Sequence, residues 1–293
     1  MALLRLAIID PDTSHADAFA ESLSHLRGAQ LTCLSSTSGV RNARWIAEYA
    51  ERWSLRVLSR IDELSLHADA ALILTLDWRK HYALAEKITA FGLAVFVDKP
   101  LCDSTVDVDR FMRLVRDPSR RIFGSSSLPF ASQQLIDNSV PGKRVTIRGP
   151  GESYFMRIHL MEILAASLLM QTSRDEIEQL PLTRIDDVTR IDKYEIRYAD
   201  EWSIDGTVIL LDRVYDPMWS RFVDWGTTRA ASMLAIPLLA VELERCAVLS
   251  QTLSRPVSIG EFHALGESSI ACSDVEHAEF IRSYRDRQVR SSS

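Results

Sequence analysis

Between Leu4 and Gly124 this chain alternates short apolar runs with amphipathic stretches, and that rhythm constrains its fold more than any other feature. Leu4–Ile9, Leu31–Leu34, Ala70–Leu76 and Ala94–Val97 are compact and mostly apolar, and Arg56–Leu58 and Ile122–Gly124 are shorter candidates of the same kind. Such runs suit strands buried on both faces. Between them, residues 15–26, 43–53, 81–91 and 105–115 carry apolar positions at helical spacing. Ser14 is placed to cap the first of these helices, and Gly92 to stop the third. Strands alternating with helices of this length predict a parallel sheet with right-handed crossovers, an α/β architecture.

The pattern changes after residue 123. Ser125-Ser126-Ser127-Leu128-Pro129 is a polar break that reads as a linker, dividing the chain into domains at 1–123 and 124–293. Arg144–Arg148 reads as a strand and Phe155–Met170 as a helix. Leu182–Val188, Lys193–Tyr198 and Gly206–Val214 read as antiparallel strands, with a hairpin turn at Ile204-Asp205-Gly206-Thr207. Ala230–Leu253 is a long helix that Pro237 either kinks or begins. The second half is therefore expected to be an α+β domain on an open antiparallel sheet. Asp212, Arg213, Asp216, Trp219, Arg221, Asp224, Trp225 and Arg229 form a charged and aromatic block, read as an oligomer interface or the rim of a cleft.

Composition removes several functional classes. A formal charge of −6 with scattered basic residues argues against a nucleic-acid partner. Cys33, Cys102, Cys246 and Cys272 are far apart, which is neither a zinc framework nor a disulfide scaffold. His263, Glu276 and His277 make no recognised metal spacing, so no metal is expected. The apolar start is short and ends at Asp10, unlike a signal peptide, and no apolar run is long enough for a membrane span. A reducing cytoplasm is the simplest setting.

Chemistry points first to Ala94-Val95-Phe96-Val97-Asp98-Lys99-Pro100. Ligands of open α/β sheets bind at the carboxyl ends of the strands. A lysine there can bond a substrate oxygen and shuttle a proton, because desolvation lowers its pKa. The chain has only 5 lysines against 29 arginines, so a lysine at this position stands out. An ordinary strand-end ion pair before a proline turn is the plainer alternative.

Two segments together carry a resemblance. Thr75-Leu76-Asp77-Trp78-Arg79-Lys80-His81-Tyr82-Ala83-Leu84-Ala85 is similar to the strand, loop and His-Tyr-x-x-Ala helix of the glucose-fructose oxidoreductase/inositol dehydrogenase family, written Gfo/Idh/MocA. Gly92–Leu101 is similar to that family's Gly-Lys-His-Val-x-x-Glu-Lys-Pro-Leu segment, with Asp98 for Glu. Two weaker matches follow, His159-Leu160-Met161-Glu162 to its His-x-x-Asp helix and Leu249–Val257 to its closing helix and strand. The resemblance implies a Rossmann-type doubly wound domain that binds NAD(P), then an α+β domain whose sheet serves assembly into a dimer or tetramer. It implies hydride transfer on a small sugar-, cyclitol- or amino-sugar-like carbinol or carbonyl compound. Carried over, Lys99 and His159 are the catalytic candidates, and Tyr154 and Arg157 are candidate substrate contacts. Ser14, His15, Ser36, Arg41, Trp78, Arg79 and Asp98 are candidates for the cofactor side.

The departures matter as much. The family's Gly-x-Gly-x-x-Gly loop becomes Asp10-Pro11-Asp12-Thr13-Ser14-His15, with aspartates at its first two glycine positions. Carboxylates beside a pyrophosphate repel it, by about 1 kcal/mol or more per charge near a surface. Either Thr13, Ser14 and His15 make a variant dinucleotide loop, or the cofactor site is lost. The second strand ends in Ser35-Ser36-Thr37-Ser38 with Arg41 close by, which favours NADP(H) over NAD if a dinucleotide binds, or is simply a solvated polar loop. Phe155 stands where the family places an Asp four residues before its His. An NADP-dependent oxidoreductase is the first expectation, and a non-redox descendant that binds, regulates or performs acid–base catalysis is the second.

Overall fold

The N-terminal apolar runs pair into one parallel six-stranded sheet. In this computed structural model, which describes residues 3–138, 143–228, 230–265 and 273–291, the chain runs β1 (Leu4–Ile9), α1 (His15–Ser24), β2 (Ala29–Ser35), α2 (Ala43–Arg52), β3 (Arg56–Leu58), α3 (Leu64–His67), β4 (Ala70–Ile73), α4 (His81–Ala90), β5 (Ala94–Val97), α5 (Thr105–Arg116) and β6 (Ile122–Gly124). The sheet order is β3-β2-β1-β4-β5-β6. The order reverses between β1 and β4, which opens a crevice above the strand ends. Ile9 pairs with Ser35 and Ile73, Ile73 with Val97, and Val97 with Gly124, so these carboxyl ends share one edge.

Side chains alternate across the sheet. Leu6, Ile8, Leu72, Phe96 and Phe123 enter one core, and Ala7, Ile9, Ala71, Ile73, Val95 and Val97 enter the other. The second core is continuous with that of the C-terminal domain.

Past α6 (Leu128–Ala131) and α7 (Gln133–Asp137), the chain forms β7 (Val145–Gly149), α8 (Tyr154–Gln171), α9 (Arg174–Gln179), β8 (Leu182–Ile185), β9 (Val188–Ile191), β10 (Tyr194–Tyr198), β11 (Ser203–Ile204), β12 (Thr207–Val208), α10 (Asp216–Thr228), α11 (Ala235–Leu253), α12 (Ile259–Ala264) and α13 (Asp274–Ser291). The second sheet is ordered β12-β11-β7-β10-β9-β8. It is mixed rather than antiparallel, because β7 and β10 run parallel. The crossover through α8 and α9 brings the chain back alongside β7 in the same direction.

Other elements also differ from expectation. Leu182–Val188 is a hairpin, not one strand: Asp186 takes a left-handed φ of 49° and turns β8 into β9. The hairpin at Asp205-Gly206 is present, with both residues left-handed, but pairing stops at Val208. Pro237 lies in the first turn of α11.

The charged and aromatic block falls in α10 from Asp216 onward, with Asp212 and Arg213 in the turn before it. Met218, Trp219, Phe222 and Trp225 form a stripe at helical spacing that is buried against Phe19, Phe96 and Phe123 of the first domain. Its aromatic residues are core within this chain, while Arg221 and Asp224 stay exposed. Arg229, and Cys272 among the cysteines, lie outside the described residues.

Candidate active site above the strand ends

β5 delivers Asp98 and Lys99, each 3% exposed, into the crevice. Asp98 Oδ1 accepts from the Lys99 amide at 2.9 Å, and Oδ2 lies 2.7 Å from His15 Nδ1. Burial pushes the Asp98 carboxyl upward, but the charge and hydrogen bond of His15, helped by Lys99, hold it below the usual range. His15 stacks on Phe19 at 4.9 Å, which fixes its ring over the sheet end.

Lys99 Nζ sits 3.0 Å from the centroid of the Phe155 ring and 3.5 Å from the Phe155 carbonyl oxygen. Phe155, His159 and Glu162 occupy positions i, i+4 and i+7 of α8 and so share one helix face. Burial lowers the Lys99 pKa to about 7 against the pull of Asp98 and Glu162. Burial raises that of Glu162 to about 7, opposed by its bonds from Ser125 and Ser126. Glu162 Oε2 accepts from Ser125 Oγ at 2.7 Å and from the Ser126 amide at 2.6 Å, while its buried Oε1 has no partner.

Ser126 Oγ accepts from the Leu128 amide at 3.2 Å and lies 2.5 Å from His159 Nδ1. Ser126 Oγ keeps a second lone pair and its hydroxyl hydrogen for His159 Nδ1, so this contact fixes the ring and suits either tautomer. Burial, with the Lys99 charge beside it, pushes His159 well below the ordinary imidazole range. His159 is therefore a neutral imidazole, able to donate from one ring nitrogen and accept at the other. The edge of Trp202 packs on it at 5.4 Å.

Sequence reasoning read Ser125 and Ser126 as a linker and gave Glu162 no role. The acid one turn beyond His159 was the available signal.

Other candidates stand apart from this group. Tyr154 is fully buried, its hydroxyl donates to the Cys102 carbonyl, and its ring packs on Trp78 at 5.7 Å. Arg157 faces away from Lys99 and bonds Glu244 at 2.8 Å, which also pairs with Arg184 at 2.6 Å. Both are committed to intramolecular bonds rather than placed beside Lys99. Trp78 is 1% exposed. Arg79 bridges Asp103 at 2.9 Å and Asp274 at 2.7 Å. Ser36 and Arg41 line a separate open cleft at the end of β2, where the Arg41 guanidinium lies 4.2 Å from the Trp45 ring centroid.

The same crevice is where a dinucleotide would lie, so the fit of the β1–α1 loop can be tested. A pyrophosphate needs backbone amides at the helix start and close backbone approach. Asp10 keeps the tight turn in a left-handed φ of 51°, and its carboxylate accepts from the Thr37 and Ser38 amides and from Thr75 Oγ1. The Asp12 carboxylate, wholly buried, accepts from Ser38 Oγ at 2.6 Å and the Leu76 amide at 3.0 Å. Burial lifts Asp12 to a pKa of about 7, against those two bonds. The amides of Asp12, His15 and Ala16 are taken by Asp10 and Thr13.

α13 then lies across the opening. His277 bonds Asp77 at 3.1 Å, Phe280 packs on Trp78 and Phe155, and Ser14 hydrogen-bonds Tyr284. Carboxylates and an aromatic helix hold the donors and the space that the pyrophosphate would need. The residues present do not fit a dinucleotide.

Among the described residues no helix is long and apolar enough to cross a membrane, and no cluster of His, Cys, Asp and Glu is arranged to hold a metal ion.

Comparison with known proteins agrees with the fold. Residues 6–124 match the model of the Gfo/Idh/MocA oxidoreductase family, NAD-binding Rossmann fold. No curated protein matches the chain. An inferred myo-inositol dehydrogenase from Sinorhizobium meliloti 1021 superposes with a TM-score of 0.69 at 16% identity, over 87% of this chain and 99% of that one. GenD2 from gentamicin A biosynthesis, in complex with NAD, gives 0.66 at 15% identity over 88% and 97%. Biliverdin reductase from Synechocystis sp. PCC 6803, with biliverdin and NADP+, gives 0.61 at 14% identity over 85% and 99%. At such identities the structural likeness is one of fold. Residues 6–124 are thus similar to the Gfo/Idh/MocA oxidoreductase family, NAD-binding Rossmann fold, and the solved structures share the fold of the whole chain.

Proposed function

We propose that this chain is an acid–base enzyme on the oxidoreductase scaffold, moving a proton at a small hydroxylated carbonyl compound without a bound dinucleotide. The carrying observation is the pair of buried carboxylates, Asp10 and Asp12, seated on the amides and hydroxyls around the crevice. Lys99 exchanges a proton near neutral pH at the substrate oxygen. His159 donates its Nε2–H to the same oxygen. Asp98 keeps His15 oriented at the opposite wall. A cyclitol-like ring is the first substrate class to try, since one fold relative is named as an inositol dehydrogenase.

A second reading, hydride transfer with NADP(H), is favoured by the family match and the retained Asp98-Lys99-Pro100. In it Ser36 and Arg41 would hold the 2′-phosphate. Fold relatives hold NAD in one case and NADP+ in another.

The readings separate in one experiment. The purified protein is incubated in deuterated water with a cyclitol ketone, with and without NADPH, and followed by NMR. The acid–base reading expects deuterium beside the carbonyl without NADPH, and its loss in Lys99→Met. Turnover that requires NADPH would establish the second reading instead.

A further inference from the structure

We infer that Lys99 is an imine-forming lysine, whose amine adds to the carbonyl carbon of the substrate and holds it covalently while the proton is moved. The inference rests on the acid–base reading above, with the Lys99 nitrogen taking the place of the substrate oxygen instead of exchanging a proton with it.

The geometry sets Lys99 apart from a structural lysine. It is 3% exposed, yet no carboxylate lies within ion-pairing distance of its Nζ among the described residues. Asp98, its sequence neighbour, turns its oxygens to His15 and to the Lys99 backbone amide instead. The amine faces an aromatic ring and one carbonyl oxygen. A lysine desolvated in this way is activated as a nucleophile.

Around it stand the groups that imine formation requires. Glu162 is fully buried, is anchored through one oxygen by Ser125 and Ser126, and leaves Oε1 without a partner. Its burial keeps a proton on it near neutral pH. His159 is held at Nδ1 by Ser126, which leaves Nε2 for the substrate.

The steps balance. The neutral amine attacks the carbonyl carbon. A C–N bond forms, the carbonyl oxygen takes a proton, and the nitrogen releases one, giving a carbinolamine. Glu162 then protonates the hydroxyl, the C–O bond breaks, and water leaves as C=N forms. The sum is amine plus carbonyl to imine plus water, with no change of oxidation state. The protonated imine withdraws electrons more strongly than the ketone, which acidifies the adjacent C–H. Hydrolysis by the reverse path frees the product.

The test is reductive trapping. The full chain is treated at pH 7 with dihydroxyacetone and sodium cyanoborohydride, with and without NADPH, and the adduct is mapped by peptide mass spectrometry. Lys80, Lys87, Lys143 and Lys193 are the internal controls. Lys99 is expected to gain the adduct about tenfold faster than these, because a much larger share of a desolvated amine is neutral at pH 7 than of a solvated one. Phe155→Asp, which sets a carboxylate beside the amine, is expected to slow labelling at Lys99 and leave the other four unchanged, with circular dichroism confirming the fold. Glu162→Gln is expected to slow it as well. A folded wild type in which the four controls react and Lys99 does not would overturn the imine proposal, whether or not NADPH binds. Labelling of Lys99 that NADPH blocks at stoichiometric amounts would uphold the reactive amine and overturn the dinucleotide-free reading on which it was built.

Discussion

Glu162 and Lys99 titrate in the same range from opposite starting points, and the stability of the fold should record both. The carboxyl of Glu162 is raised from 4.5 to about 7, so between those values the folded chain binds more protons than the unfolded one. Stability therefore falls as pH rises from 4.5 to 7, and the full penalty is present above 7. Lys99 is lowered from 10.5 to about 7, so the unfolded chain binds more protons between 7 and 10.5, and this term makes stability rise there. Glu162→Gln keeps an oxygen for Ser125 and Ser126 and puts an amide at the unpartnered position. It is expected to flatten the fall below pH 7 and to stabilise the protein at pH 8 by roughly 3–4 kcal/mol, at about 1.4 kcal/mol per pKa unit. Urea titrations at pH 5, 6, 7 and 8 would check this; an unchanged slope would mean Glu162 ionises normally. Asp98 and Lys99 were legible in the sequence because a strand end fixes where its next two residues go. The partners were not. His15 meets Asp98 across 83 residues, and Phe155 reaches Lys99 across the domain junction. Tyr154 and Arg157 sit on the same helix as His159, and only helix rotation separates their faces from the one that meets Lys99.

At the scale of elements, the β1–α1 loop does structural work that glycines could not. Asp10 ties β1 to the loop after β2 and to Thr75 at the end of β4. Asp10→Ala leaves two amides and two hydroxyls, of Thr37 and Thr75, without their acceptor, in a backbone conformation that alanine resists. A loss of roughly 2–4 kcal/mol in urea unfolding is expected, against less than about 0.5 kcal/mol if the carboxylate were merely solvated. Most strands and helices of the first half were legible from periodicity. α10 was not, because its charged residues interrupt the aromatic stripe in sequence while leaving it continuous on the helix. The parallel pairing of β7 with β10 was also hidden, since strand direction is set by the path of α8 and α9 and not by the residues of either strand.

On the scale of the whole molecule, the C-terminal half returns twice to the first domain. α10 completes one core of the parallel sheet, and α13 lies across its crevice. The two halves should then unfold together. Trp219, fully buried against Phe19 and Phe96, belongs to the second half in sequence and to the first sheet in space. Trp219→Ala is expected to cost about 3–5 kcal/mol and to move the far-UV circular dichroism and tryptophan fluorescence transitions together. Separation of the two signals would show halves that fold independently. On the function we propose, this Rossmann domain has exchanged its dinucleotide for its own carboxylates and C-terminal helix. Isothermal calorimetry of the full chain, refolded from denaturant to remove any carried ligand, against NADPH and NADH tests it most directly. No saturable heat up to about 1 mM of either, at the weak end of the affinity scale, is the predicted result. One-to-one binding at micromolar Kd would contradict the account and return the protein to nicotinamide chemistry.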